Sequence, residues 1–377
     1  MVTPGVAGSP QSASRHCDVQ ATRSPPGSVA IHAVSACLPL PGDQVGNRST
    51  LGTMSTPSGM IDRIAVIGAG FMGGGIGAEF ALRLEHDVRV TLWDARPGGA
   101  ATAVARAREV ADALVEAGIL LPEVATRRLA RLATADTLAE VTDGASYVVE
   151  AVPEDLPTKQ EVFRDLDRIT GPDVILASNT SGFDPADLAK DLSHPARVVV
   201  AHYFGPAFLI PLVEVVPHPG TDPWVTERTA KLLSDAGKRP AVLGRFVPGF
   251  VANRLQQALF REALHLVRDG VATPEVIDEV ARFSFGPRLA ALGPFTVADF
   301  AGLDVYAALS TNVWPDLSAE TASDAPPAEL ATHVASGTLG VKTGAGTYPW
   351  PPEQVQAVTA RRNRALGDAL RGMRDDD

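Results

Sequence analysis

Two hydrophobic rhythms alternate along most of this chain, and its first stretch follows neither. Residues 1 to about 58 ("SPQSASRHCD", "RSPPGS", "PLPGDQVGNRST") are rich in Ser, Pro and Gly and hold no sustained helical or strand period. They read as a disordered segment, or as an upstream extension ahead of a natural start at Met54 or Met60. From Ile61 the pattern changes. Ile61 to Ile67 is a short apolar run suited to a buried strand, and the residues after it place Ile76, Phe80 and Leu84 on one helical face. "DVRVTLWD", "ASYVVEAVP", "DVILASNTS" and "ARVVVAHYF" repeat the strand signal, each bounded by turn residues, with helical patterns between several of them. That alternation predicts an α/β fold with a mostly parallel, doubly wound sheet over residues 59–246. Beyond it the period is helical throughout. Pro248 to about Gly270 predicts a long helix with Phe250, Leu255, Leu259, Ala263 and Leu266 apolar, and another opens at Thr273 with Pro274 in its first position. Further helical segments start near Phe295 and Pro326, so residues 247–377 are expected to form an all-helical domain.

The first strand runs into Gly68-x-Gly70-x-x-Gly73, with Phe71 and Met72 between the last two glycines, and then into a helix. In this context the first glycine makes the tight turn and the second lets a pyrophosphate approach the backbone. The third lets helix and strand pack closely. The helix N-terminus supplies free N–H groups and positive dipole to phosphates. A second strand ends in Asp94, about 20 residues past the last glycine, where an acid takes ribose hydroxyls. The stretch therefore predicts a Rossmann-type dinucleotide site. A carboxylate at Asp94 would repel a 2′-phosphate, which favours NAD over NADP; Arg96, two residues on, reads as a solvated loop arginine.

Glu214 is the one ionisable group in the apolar run "PLVEVV", and a lone buried carboxylate is expensive unless something pairs with it. The candidate partner is His202, at the end of the preceding apolar run, if the chain turns through "FGPAFLIP" and lays the two runs side by side. Ligands in open α/β sheets bind beyond the carboxyl ends of the strands. Glu154, Ser181 and His202 all lie near such ends, which gathers them on one edge.

Composition narrows the function. A hydrophobic content of 45% and a charged content of 20% are ordinary for a globular protein, and a net charge of −11 offers no basic excess for nucleic acid. No apolar run approaches the ~20 residues of a membrane span. Cys17 and Cys37 both precede the globular part, which leaves it without thiol chemistry, and no His, Cys or carboxylate cluster has metal-ligand spacing. A cytoplasmic enzyme acting on a small molecule is the expectation.

"GAGFMGGGI", "VVEAVPED", "ASNTSG", "HYFGPAFLIPLVEVV" and "PGFVANRLQQALFREALHLVRDGVAT", in this order, resemble the L-3-hydroxyacyl-CoA dehydrogenase family over about residues 60–310, with a weaker echo in "LGVKTGAGTY". The resemblance implies reversible NAD-linked oxidation of a 3-hydroxyl to a 3-keto group on a 3-hydroxyacyl-CoA or a related 3-hydroxy acid, in fatty acid metabolism, by a homodimer. It places the catalytic histidine on His202, its orienting glutamate on Glu214, and substrate-binding polar residues on Ser181 and Asn253. It also assigns cofactor contacts to Glu154, Lys159 and Asn179. The residue types suit the chemistry. Imidazole is a base near neutral pH, and a carboxylate on its far nitrogen fixes the tautomer. Ser181 and Asn253 can hydrogen-bond the reacting oxygen; alternatively Ser181 is a turn residue and Asn253 a helix cap.

Two departures bear on the substrate. Relatives usually read "HFFNP" where this chain has His202-Tyr203-Phe204-Gly205-Pro206, and a lysine commonly precedes "LVEVV" where this chain has Pro211. This spelling resembles the family's branch acting on free hydroxy acids, such as carnitine dehydrogenase and lambda-crystallin-like gulonate dehydrogenases. "FGPRLAALGPF" resembles the same branch and puts Arg288 where a substrate carboxylate could be clamped bidentately, unless it pairs with Asp299 or solvent. Residues 98–132, where CoA-using relatives carry a lysine-rich helical pair, have arginines balanced by acids. The alternatives are thus a free-carboxylate dehydrogenase without CoA, and a non-catalytic NAD(H)-binding sensor or crystallin-like protein.

Overall fold

The computed structural model describes residues 59–318 and 326–375. The segment 1–58, with its two cysteines, lies outside the described residues. The strands are β1 (Arg63–Ile67), β2 (Arg89–Trp93), β3 (Leu132–Thr134), β4 (Tyr147–Glu150), β5 (Ile175–Ser178), β6 (Val198–Tyr203), β7 (Leu212–Pro217) and β8 (Arg239–Val242). They form one 8-stranded sheet in the order β3-β2-β1-β4-β5-β6-β7-β8. The first six are parallel; β6 and β7 pair antiparallel, and β8 runs parallel to β7. The strand order reverses between β1 and β4, which opens the crevice where such sheets take dinucleotides. β3 and β8 are the two edges, short and only partly buried, so they carry no apolar run that would announce them in the sequence.

The period of two along β1 divides the core. Ile64 and Val66 face one layer, with Ile76 and Phe80 of the helix Phe71–Arg83 and Leu232 and Leu233 of the helix Pro223–Asp235. Ala65 and Ile67 face the other, with Phe163 and Leu166 of the helix Leu156–Ile169. Fully burying each large side chain contributes roughly 1.5–3 kcal/mol, and the two layers fix the sheet from both sides. The helix Leu156–Ile169 starts where it does because Asp155 caps it, its carboxylate accepting from the Thr158 amide at 3.0 Å and hydroxyl at 2.6 Å.

The C-terminal helices have a different character. Ala252–Arg268, Pro274–Phe283, Phe285–Ala291 and Leu303–Val313 contain no buried residue, and Phe283, Phe295 and Phe300 are 70%, 87% and 81% exposed. The first of them begins at Ala252, later than the periodicity predicts. Gly249 and Phe250 intervene with φ of +75° and +50°, a left-handed conformation that costs a non-glycine residue about 1–2 kcal/mol. The terminal helix Pro352–Asp375 returns to the sheet domain. There the Arg371 guanidinium donates to the Ala117 carbonyl at the end of the helix Gly99–Glu116, and a Cβ on Gly367 would lie 3.2 Å from Ala117 Cβ.

Candidate active site

The hairpin β6–β7 answers the question posed by Glu214. His202 and Glu214 are direct partners in the antiparallel register. Their side chains share the sheet face that packs on Phe250, and His202 Nδ1 lies 3.0 Å from Glu214 Oε2. Both are buried, at 5% and 1% exposure. The other carboxylate oxygen, Oε1, accepts the Val251 and Ala252 amides, each at 2.9 Å. The left-handed pair at Gly249 and Phe250 is what aims these amides at the sheet, so the local strain is offset by two charge-assisted hydrogen bonds. Burial pushes the Glu214 carboxyl up, but the bonds from His202, Ala252 and Val251 outweigh it and hold the group below the ordinary carboxylate value. An ionised carboxylate only accepts. Nδ1 therefore carries the ring proton, and Nε2 is the nitrogen left with a lone pair. The ring is seated between Phe204 and Phe250, at centroid distances of 4.4 and 5.3 Å.

A second group stands at the ends of β4 and β5. Ser181 donates its hydroxyl to Glu154 Oε1 at 3.2 Å and its amide to the same oxygen at 2.9 Å, and the Thr180 hydroxyl donates there at 2.6 Å. Lys159 Nζ is 3.3 Å from the other oxygen of Glu154. Burial raises the Glu154 carboxyl, while Thr180, Lys159 and Ser181 together bring it below its usual value. Lys159 itself is 1% exposed and also donates to Glu150 Oε1 at 2.8 Å and to the Val152 carbonyl at 3.2 Å. All three of its N–H donors are thus engaged by protein, so Lys159 meets a ligand through Glu154. Asn253 joins the two groups. Its Nδ2 reaches the Ser181 carbonyl at 3.4 Å, and the amide of its neighbour Ala252 is on Glu214. Asn253 is inside the helix rather than its cap, which is Val251.

The glycine motif fits a pyrophosphate. Gly68 has φ of +91° and a Cβ there would sit 2.7 Å from the Ala151 carbonyl oxygen, while a Cβ on Gly73 would overlap the Gly68 carbonyl at 1.9 Å. Beyond Gly70, by contrast, is open space, where a phosphate can approach the backbone ahead of Phe71 and Met72. Asp94 Oδ2 accepts the Ala69 amide at 2.9 Å. Arg96 is a solvated loop residue, as the sequence suggests, with 72% of its side chain exposed, but it is not free. Its guanidinium grips Asp94 with two bonds, at 2.9 and 3.1 Å, and this pairing holds the Asp94 carboxyl below its ordinary value. Asn179 Oδ1 accepts the Tyr203 amide at 2.9 Å, which ties the end of β5 to the end of β6.

The remaining expectation stands apart. Arg288 is exposed on the short helix Phe285–Ala291, where its Nε reaches the Ser284 carbonyl at 3.4 Å, and no ion pair with Asp299 forms. Among the described residues it has no hydrogen bond with His202, Ser181 or Asn253. Glu150, which reasoning from the sequence missed, is fully buried between Lys159, the Ser178 hydroxyl at 2.5 Å and the Val152 amide at 2.7 Å. The signal that exposed Glu214, one acid in an apolar strand, is present in "YVVE" as well. Among the described residues no group of three or more His, Cys, Asp or Glu could hold a metal ion, and no helix is long and apolar enough to cross a membrane.

Comparison with known proteins gives the same organisation. The family model described as 3-hydroxyacyl-CoA dehydrogenase, NAD binding domain, matches residues 63–246, and the C-terminal domain model of that family matches 249–350. The chain is 37% identical over 313 residues to 5-formyl-3-hydroxy-2-methylpyridine 4-carboxylate 5-dehydrogenase of Mesorhizobium japonicum, covering 81% of this chain and 96% of that protein. It is 35% identical over 319 residues to L-carnitine dehydrogenase of Streptomyces griseus, covering 82% and 90%. Among solved structures, the 5-formyl-3-hydroxy-2-methylpyridine 4-carboxylic acid 5-dehydrogenase, described as an NAD+-dependent dismutase, superposes with a TM-score of 0.74 at 35% identity, covering 83% of this chain and 98% of that one. 3-Hydroxybutyryl-CoA dehydrogenase of Escherichia coli K12 gives a TM-score of 0.63 at 30% identity, covering 77% and 60%.

Proposed function

Because the chain belongs to the 3-hydroxyacyl-CoA dehydrogenase family, and so is an NAD-dependent dehydrogenase acting on CH–OH groups, we propose that it oxidises the hydroxyl of a small hydroxy acid bearing a free carboxylate. The observation that carries the catalytic half of this reading is the cross-strand pair of His202 and Glu214. Nε2 of His202 takes the substrate's hydroxyl proton, and Glu214 stabilises the imidazolium and keeps the ring from turning. Ser181, turning its hydroxyl proton away from Glu154, and the Asn253 amide both donate to the substrate oxygen as it becomes a carbonyl. NAD, when bound, accepts the hydride. Gly68, Gly70, Phe71, Met72 and Gly73 would hold its pyrophosphate, Asp94 its ribose, and Glu154, Lys159 and Asn179 would frame its nicotinamide end.

Three observations favour a free acid over a CoA thioester. The relatives at 37% and 35% identity are named for a pyridine carboxylate and for carnitine. The helix Gly99–Glu116, with two arginines against three acids and so no basic excess, is in contact with the terminal helix Pro352–Asp375, which lies beyond the residues matched by the family model. Gly205 and Pro211 depart from the spelling common in the family. The likeness to 3-hydroxybutyryl-CoA dehydrogenase supports the second reading, a 3-hydroxyacyl-CoA substrate. NADH production measured against carnitine, gulonate, free 3-hydroxybutyrate and 3-hydroxybutyryl-CoA separates the two. A panel dominated by the thioester would refute the free-acid reading.

The active species in this reading is a homodimer. Helices that bury as little as these four have scant means of folding stably in water, and their exposed Leu255, Leu259, Val280, Phe283 and Leu303 offer a surface that a second copy of the same layer can cover. Sedimentation at assay concentration giving a monomer would overturn it.

A further inference from the structure

Lys238, just ahead of β8, is a buried cation outside the machinery described so far. It is 5% exposed, and its ammonium lies 3.0 Å from Glu79 Oε1, itself 1% exposed on the helix Phe71–Arg83. The ammonium also donates to two backbone carbonyls, those of Ala207 and Ile210, the latter at 3.2 Å. Both carbonyls belong to the loop 204–211, which joins β6 to β7 and so connects His202 to Glu214. An ammonium has three donors, and here one goes to the helix and two to the loop. The loop meets the same helix at its other end: a Cβ on Gly205 would lie 3.3 Å from the Phe71 ring and 3.7 Å from Met72 Sδ, and Gly75 faces Ala207. Phe204, the loop's first residue, packs on the His202 ring. Nothing covalent fixes the distance between the helix that receives the cofactor's pyrophosphate and the hairpin that carries the base. Lys238 spans it.

We propose that Lys238 is a positioning residue for hydride and proton transfer: with Glu79 as its counter-ion, it clamps the loop 204–211 to the cofactor-binding helix and thereby sets the place of His202. The proposal rests on the reading of His202 as the base. Because it acts through backbone carbonyls, the clamp is indifferent to the side chains of the loop. Neutralising Glu79 is a task that Arg83 shares, its Nε lying 4.0 Å from the same carboxylate oxygen, whereas the loop carbonyls are held by Lys238. Two tasks are therefore separable, neutralising Glu79 and holding the loop.

The experiment compares Lys238→Met, the double variant Glu79→Leu/Lys238→Met, and Arg197→Met. The last breaks a buried ion pair with Asp167, at 2.8 Å on the opposite end of β6, and calibrates what loss of stability alone does. Melting temperature, kcat, and the primary deuterium isotope effect on kcat are read below the lowest midpoint. Lys238→Met should lose both stability and turnover. The double variant should regain the melting temperature while kcat stays lower by about ten- to a hundredfold, the scale of a small misplacement of reacting groups, and the isotope effect should rise as hydride transfer becomes limiting. Recovery of kcat together with stability would reduce Lys238 to a structural ion pair and overturn the proposal. If neither Met variant folds, Lys238→Gln, neutral but still able to reach a carbonyl, decides it: an intermediate kcat with a raised isotope effect supports the clamp, and unchanged kcat overturns it. His202→Gln tests the underlying reading separately. Full activity there refutes the base, whatever Lys238 does.

Discussion

Replacing Glu214 by Gln changes one atom and has two possible outcomes, which the geometry ranks. In the first orientation the side-chain oxygen stays on the Val251 and Ala252 amides, both at 2.9 Å, and the new NH₂ faces His202 Nδ1 at 3.0 Å. The NH₂ donates to Nδ1, so the ring proton moves to Nε2 and the lone pair needed by the substrate is gone. In the second orientation the oxygen faces Nδ1 and the base survives, but the NH₂ is thrust against two backbone donors. Each amide then loses its acceptor, at about 1–3 kcal/mol apiece, or about 2–6 kcal/mol together. The inert orientation is therefore the ground state, and reaching the active one adds that energy to the barrier. At 1.36 kcal/mol per decade, turnover should fall between about 30-fold and 10⁴-fold. Both helix-capping bonds persist in the inert orientation, so the melting temperature should move little; the lost charge at a helix N-terminus is worth ~0.3–1 kcal/mol. Initial-rate NADH formation at saturating NAD and substrate, with thermal unfolding beside it, measures both. Turnover equal to that of the unsubstituted enzyme would refute the tautomer argument, and a collapse of the fold would refute the ranking of orientations.

Other consequences are open to measurement. NAD should bind more tightly than NADP, and Asp94→Ser should narrow the gap by removing the repelling carboxylate and releasing Arg96 to a 2′-phosphate; equal affinities in the unsubstituted protein by calorimetry would sink this. Lys159→Met should destabilise the fold by about 3–5 kcal/mol, because it leaves the fully buried Glu150 unpaired, and an unchanged denaturation midpoint would contradict it. Glu214, Glu154, Asp94 and Asp167 are all held below their ordinary values. Their stabilisation is therefore complete above the ordinary carboxylate pKa and disappears as pH falls through the lower folded values. Glu150, which burial pushes up, works in the opposite sense. Melting temperature should drop on acidification below the ordinary carboxylate range, less so in Glu214→Gln; a rise would count against the assigned directions.

The sheet was legible from the sequence because its central strands are continuous apolar runs with no competing pattern. The His202–Glu214 pair was legible because a charge in such a run demands a partner within a hairpin's reach. The edges β3 and β8 were not, since a half-exposed edge strand reads like any loop. Lys238 was beyond reach for a different reason. Following Gly237 in a polar turn, it looks like an ordinary solvated lysine, and its burial is decided by a loop and a helix far away in the chain. Arg96 is the solvated arginine it looks like, but its bidentate grip on Asp94 depends on a turn geometry that two letters of sequence do not specify. The exposed phenylalanines of the C-terminal helices gave correct helices and no hint of how little one copy of them buries.

The antiparallel pairing of β6 with β7 has one more implication, for how such an enzyme changes its clientele. A ladder shifted by a single residue would turn Glu214 to the opposite face of the sheet, so the base and its partner tolerate no drift. The loop 204–211 is under a looser rule. It must close the hairpin and present two carbonyls to Lys238, which any residue can do. Gly205 and Pro211, the departures from the common family spelling, both fall in this loop, Gly205 against Phe71 and Met72 and Pro211 beside Arg239 at the start of β8. In the proposed mechanism one hairpin thus joins a rung fixed by register to a cap whose eight side chains are free to vary, so the tip can be rewritten while His202 and Glu214 stay paired.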